Sequence, residues 1–207
     1  MAGLFISFEG IDGSGKSTQA RLLAAALRDA GFGVTLTREP GGSAGAEEIR
    51  RLVLEGATDR WSAETEILLF TAARRDHLEK TIRPALIQGD VVITDRFADS
   101  TRIFQGITRG DLTETVDALH DLMIGIEPDL TLLVDLDPAE GLARASARAG
   151  AEMRFEDMGL AFQTRARAGF LDLAARHPRF RVIDGARPSD QVATDILAAA
   201  LAALGHR

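Results

Sequence analysis

The chain has 207 residues, no cysteine, no tyrosine and a formal net charge of −7 at pH 7. This length suits one α/β domain with a sizeable core, or such a domain with a small mobile insert. The lack of cysteine excludes disulfides and thiolate metal sites, and the acidic balance disfavours a general binder of nucleic acid or anionic membranes.

The chain enters an apolar run at Leu4 to Phe8 without a basic flank or a long apolar stretch, which argues against a secretory leader. Directly after it, Gly10-Ile11-Asp12-Gly13-Ser14-Gly15-Lys16-Ser17 has the spacing of a Walker A phosphate loop, with Thr18 following. Glycines at these places let successive amides turn inward toward a phosphate chain. A helix from Lys16 to Ala30 adds its unpaired amides and dipole. Lys16 is expected to bridge the outer phosphates and the Ser17 hydroxyl to ligate Mg²⁺.

Further short apolar runs at Val34 to Thr37, Val91 to Thr94, Leu130 to Val134 and Phe180 to Ile183 read as strands. Periodic segments at Ala46 to Glu55, Ala63 to Gln88, Thr113 to Ile124, Pro138 to Arg148, Leu160 to Arg176 and Ser189 to Leu204 read as helices, with Pro84 bending or ending the second of these six. The last, alanine-rich segment is too short to span a bilayer, and we expect a cytoplasmic location. The alternation predicts a five-stranded parallel sheet flanked by helices on both faces, with ligands at the carboxyl ends of the strands.

Chemistry is expected at those ends. Arg38 follows the second strand, and Asp95 and Arg96 follow the third. Two arginines facing a phosphate loop suit a second phosphorylated molecule, because guanidinium groups make forked bonds to phosphate. Asp95 stands where a carboxylate near the metal is expected, or it caps a helix or pairs with an arginine. His77, His120, His177 and His206 lack metal-ligand spacing and read as surface or helix residues. Asp135 and Asp137 read as caps of the helix that follows them, and Trp61 as a loop or helix-start residue at a surface or interface. A GTPase-type switch would need an Asn-Lys-x-Asp motif, and the chain contains no asparagine.

Across nearly its whole length the chain resembles the bacterial thymidylate kinases, which transfer the γ-phosphate of ATP to dTMP. The resemblance is carried by Phe8-Glu9-Gly10-Ile11-Asp12-Gly13, Thr37-Arg38-Glu39-Pro40-Gly41-Gly42, Leu69-Phe70-Thr71-Ala72-Ala73-Arg74, Asp95-Arg96-Phe97 with Ser100, Phe104-Gln105-Gly106, and Gly141-Leu142-Ala143-Arg144. It implies a single kinase domain over residues 1–207, commonly dimeric, with ATP, dTMP and Mg²⁺ as its partners. The segment Thr113 to Ile124 is then a candidate subunit contact.

The resemblance also implies roles. Gly10 to Thr18 and Arg144 bind ATP, and the loop Asp184 to Pro188 meets the adenine. Arg38 and Arg96 hold the acceptor phosphate, and Asp12 positions it or its metal. Phe70 stacks on thymine, Arg74 donates to its O4, and Thr101 meets the base edge. The Phe104 ring crowds the ribose 2′ position, with Glu39, Ser100 and Gln105 completing the acceptor site. Ser17 and Asp95 face the metal. A mobile lid over about 144–156 supplies a catalytic arginine, Arg148 first, then Arg144 and Arg154. The lid departs from the family pattern at Met153-Arg154-Phe155-Glu156. The alternative is a phosphate-loop kinase for another nucleoside monophosphate or a deoxynucleoside.

Overall fold

A computed structural model of the chain describes residues 3–57, 59–147 and 159–205. Strands β1 (Phe5–Glu9), β2 (Val34–Arg38), β3 (Val91–Asp95), β4 (Leu130–Asp135) and β5 (Phe180–Asp184) form one sheet in the order β2-β3-β1-β4-β5. Every neighbouring pair is parallel, as the strand and helix alternation predicts. Each strand runs one residue past the apolar run that announces it. The added residue is charged in every case: Glu9, Arg38, Asp95, Asp135 and Asp184. The backbone ladder is indifferent to side-chain polarity, so the sheet carries five charged side chains to its carboxyl edge.

The helices are α1 (Lys16–Asp29), α2 (Ala44–Leu54), α3 (Ala63–His77), α4 (Arg83–Gln88), α5 (Ala98–Thr101), α6 (Thr113–Met123), α7 (Pro138–Ser146), α8 (Gly159–Arg176) and α9 (Ser189–Gly205). The segment from Ala63 to Gln88, expected as one helix bent or ended at Pro84, is two helices joined by a wide turn at Leu78–Ile82. There the Arg83 N–H bonds the Leu78 carbonyl, a wider ring than the α-helical one. That registry brings the chain to Pro84, which has no N–H to offer. A second wide turn, Arg102–Ile107, continues α5, in a stretch where no helix was expected.

Side chains alternate across the sheet. Ile6, Phe8, Ile93, Leu132 and Val134 pack with α1 and α9, whereas Phe5 and Val92 pack with Leu78, Ile82 and Phe97. Leu133 joins Phe104, Phe162, Phe170 and Phe180 in a third cluster. Asp137 caps α7 as expected, accepting from the amides of Ala139 (2.9 Å) and Glu140 (3.3 Å). Asp135, expected in the same role, instead takes a forked pair of bonds from Arg167 at 2.7 and 2.8 Å. Trp61 donates to the Leu52 carbonyl at 2.9 Å. Among the described residues no helix is long and apolar enough to cross a membrane.

The loop after β1 has almost no room around it. A Cβ on Gly13 would lie 1.9 Å from the Gly141 carbonyl, and one on Gly141 would lie 2.6 Å from the Asp12 carbonyl. The two backbones touch, and α7 braces the loop from behind. Gly141→Ala should therefore lower stability by about 1–3 kcal/mol, the usual cost of overpacking. Denaturant midpoints at constant m-value would show it, and an unchanged midpoint would mean that the brace has slack.

Candidate active site

The loop expected to bind phosphate leads from β1 into α1. Gly15, in the left-handed region at φ 99°, precedes the first helical residue, Lys16; it supplies no side-chain cap, and the first turn of α1 has no acidic residue. No side chain caps the opening amides of this 14-residue helix, and the positive end of its dipole faces the loop. The Lys16 ammonium folds back onto the Ile11 carbonyl at 2.7 Å. Burial foremost, and the nearby Arg96 guanidinium, pull it down to about 8; a bound anion favours its charged form. Ile11 contributes that carbonyl alone, since its side chain belongs to the cluster of Phe104 and Phe170.

Ser17 Oγ donates to Asp95 Oδ2, while Asp95 Oδ1 is buried and accepts no hydrogen bond. Asp95 does not cap α5, whose N-terminal flanking residue is Phe97. Two hard oxygens side by side at the loop mouth fit Mg²⁺, which takes one or two protein oxygens and completes its shell with phosphate and water. Among the described residues no group of three or more His, Cys, Asp or Glu could hold a metal on its own.

A cleft of about 820 Å³ opens from the loop across the carboxyl ends of β1, β2 and β3, bordered by Lys16, Ser17, Arg38, Phe70, Arg74 and Arg96. Thus residues far apart in the chain share one wall, together with Ser100, Thr101, Phe104 and Gln105. Arg96 has φ 73°, a conformation that costs a non-glycine residue about 1–3 kcal/mol. Its neighbours hold it there. Its Nη1 donates to the Gly10 carbonyl (3.0 Å) and Ser100 Oγ (3.1 Å), its Nη2 to Asp12 Oδ1 (2.5 Å). The other Asp12 oxygen takes a bond from Gln163 of α8 at 2.9 Å. Arg38 is half exposed and rests on Glu47 at 3.2 Å.

Arg74 is buried and its donors are mostly spoken for. Its Nε bonds Glu39 Oε2 (2.7 Å), and its Nη2 bonds Thr101 Oγ1 (3.0 Å) and the Phe97 carbonyl (3.3 Å). Glu39 and Thr101, expected to meet the acceptor, thus also orient Arg74. Phe104 stacks on Phe162 at 5.7 Å and meets Phe170 edge-on at 5.9 Å, which fixes its ring without a hydroxyl. Gln105 donates to Glu66 at 3.0 Å. On the other side of the loop, a cleft of about 260 Å³ is bordered by Gly13, Gly15, Thr18, Arg144, Gly185 and Arg187. This is where the ATP base was expected, next to Asp184 to Pro188. Arg148, Arg154 and the expected lid beyond residue 147 lie outside the described residues, as does His206.

Sequence reasoning missed two residues in particular. His77, read as a surface or helix residue, is the last residue of α3 and is fully buried between Glu39 and Thr37, a contact that its spacing alone did not announce. His120 is buried as well, whereas His177 is exposed as expected. The spacing of His77 signalled only its face, since Phe70, Arg74 and His77 recur on one side of α3. Glu9 is the second. It is wholly buried and takes bonds from the Phe97 amide (2.8 Å) and Ser100 Oγ (2.6 Å), so the carboxylate ahead of the loop anchors α5.

Burial foremost, then the Asp99 charge, raises the Glu9 carboxyl from 4.5 to about 7. A value raised on folding means a stabilising contribution that is complete below about pH 4.5 and lost as pH rises through about 7. Glu9→Gln keeps an acceptor but removes the titration, so it should raise Tm more at about pH 8 than at about pH 5. An equal change at both would contradict this assignment.

Comparison with known proteins agrees with the geometry. The thymidylate kinase family model matches residues 8–196. The thymidylate kinase of Ruegeria pomeroyi is 72% identical over 195 residues, covering 94% of this chain and 92% of that protein. The thymidylate kinase of Dinoroseobacter shibae is 66% identical, covering 95% of each. The crystal structure of the Ehrlichia chaffeensis thymidylate kinase superposes with a TM-score of 0.79 at 36% identity, covering 96% of this chain and 98% of that one. The chain belongs to the thymidylate kinase family, the phosphotransferases that convert dTMP to dTDP.

Proposed function

We propose that ATP and dTMP meet end to end across the phosphate loop, with the ATP base in the smaller cleft and dTMP in the larger. The observation that carries this reading is that Gly13 and Gly15 border both clefts. The amides opening α1 and the Lys16 ammonium hold the donor phosphates. Arg96 and Arg38 hold the acceptor phosphate, with Asp12 keeping Arg96 in place. An acceptor oxygen forms the new bond to the γ-phosphorus as the bond to the bridging oxygen breaks, and ADP leaves with that electron pair. No general base is needed, because the acceptor oxygen is already ionised; the protein aligns the groups and neutralises charge. Ser17 and Asp95 would hold Mg²⁺, whose chemistry is to neutralise charge on the transferring phosphates.

In the acceptor cleft, Phe70 stacks on the base and Arg74 donates to its O4 edge through Nη1, its one nitrogen without a hydrogen bond in the described structure. Phe104 crowds the ribose. Cytosine presents a donor where thymine presents O4, and a site built around a buried hydrogen bond rejects the analogue lacking it by roughly 10⁴–10⁵ at best. The thymine methyl contributes only about 1–3 kcal/mol, so dUMP is a poor substrate and not an excluded one. For the transition state, Arg148 is proposed as the covering cation, on the strength of the family resemblance alone. ATP and dTMP are nucleotides of the cytoplasm, and we place the enzyme there.

A coupled ADP-release assay across dTMP, dUMP, dCMP, AMP and thymidine tests this reading. We expect dTMP to lead, and Arg74→Ala to erode the dTMP-to-dCMP ratio of kcat/KM by at least about tenfold. Equal turnover of thymidine or AMP would overturn the acceptor assignment.

A homodimer is also proposed. Leu68 of α3 and Leu122 and Met123 of α6 are exposed apolar side chains (59%, 75% and 44%) on two helices in contact. Sedimentation should give twice the 22.2 kDa chain mass; a monomer at micromolar concentration would refute it.

A further inference from the structure

We infer that His77 is a positioning residue for acceptor selection, holding the Glu39 carboxylate in the orientation from which it aims Arg74 at the base edge. The inference rests on the reading of Arg74 given above. His77 does not border the cleft, and its relative exposure is 0%. It acts on substrate through its neighbours, foremost Glu39, whose Oε1 lies 3.0 Å from His77 Nδ1 while Oε2 binds Arg74 Nε at 2.7 Å. A carboxylate tied by one oxygen can still swing about that bond. Tied by both, it cannot.

The tautomer follows from the partners. Burial works to raise the Glu39 carboxyl, but the Arg74 guanidinium and the His77 bond outweigh it and hold it below the ordinary range. An ionised carboxylate only accepts, so Nδ1 carries the proton. On the far side of the ring, Nε2 lies 2.7 Å from Thr37 Oγ1 at the end of β2. The ring also sets the course of the loop beneath it: a Cβ on Gly42 would lie 2.4 Å from Nε2 and 2.6 Å from Cδ2. Thr81, in the wide turn after α3, holds the Gly42 carbonyl at 2.7 Å. His77 thus fixes the Arg38 to Gly42 loop from the helix that also carries Phe70 and Arg74, so the base-stacking ring, the base-edge donor and its aiming carboxylate share one rigid support.

A residue that merely filled space would tolerate any polar side chain of similar size. A positioning residue would not. The side-chain amide of asparagine places a donor where Nδ1 was, and that of glutamine places one where Nε2 was. His77→Asn should keep the dTMP-to-dCMP ratio of kcat/KM within about threefold of the parent, while His77→Gln should lower it about tenfold or more, the scale on which small misplacements act. KM for ATP should move in neither. A folded His77→Gln with the parental ratio, or His77→Asn losing as much as His77→Gln, would overturn the inference while Arg74→Ala still lowers the ratio. If Arg74→Ala leaves the ratio unchanged, the reading of Arg74 falls, and this inference with it. In the unaltered protein, nitrogen NMR should find a proton on His77 Nδ1; its absence would overturn the inference whatever the variants do.

Discussion

An anion seat formed by the opening amides of α1 governs the rest of the structure, because cations must be gathered around it and still survive when no anion is there. The chain answers by giving each cation a partner. Lys16 rests on a backbone carbonyl, Arg96 on Asp12, Arg38 on Glu47 and Arg74 on Glu39. Leaving one of two buried partners alone costs about 3–5 kcal/mol, so the buried Arg74–Glu39 pair keeps the carboxyl edge folded as well as charged.

These pairs are not equivalent. Arg38 and Glu47 are 55% and 40% exposed, and such a pair contributes about 0–1 kcal/mol. Arg38 is therefore released to a phosphate at little cost. Arg74 and Glu39 are each 4% exposed, and further bonds from Thr101, Phe97 and His77 hold the pair in place. The first kind of pair suits a group that must change partners during turnover; the second suits a group whose direction decides which base is accepted. Arg96, at 18% exposure and with its backbone in the left-handed region, stands between them.

A deeper ionic layer anchors the floor of the acceptor cleft. Asp99 of α5 takes bonds from Arg102 (2.8 Å) and from Arg179 ahead of β5 (2.7 and 2.9 Å), while Arg102 also bonds Glu127 (2.6 Å) and Asp117 (2.7 Å). Together with the bonds that Glu9 accepts from Phe97 and Ser100, this ties the segment carrying Ser100, Thr101 and Phe104 to β1 and to the residue that leads into β5. The wide turn at Arg102–Ile107 then turns Phe104 and Gln105 to the cleft.

Local pattern alone was enough to read the five parallel strands, the phosphate loop and the start of α1, because apolar periodicity and glycine spacing act over a few residues. The charged last residue of each strand, the helix at Ala98 and the break before Pro84 escaped that reading: polarity masks a ladder that the backbone continues regardless, and wide turns leave no periodic trace. Of the site, residue types and their order were legible, whereas the pairing of His77 with Glu39, of Gln163 with Asp12 and of Glu9 with Ser100 was not. By itself, then, the sequence determined which chemistry is present and roughly where along the chain it lies. Only the tertiary structure decided which donors are already engaged, because burial and contacts between residues 38 to 151 positions apart depend on how the layers close over one another.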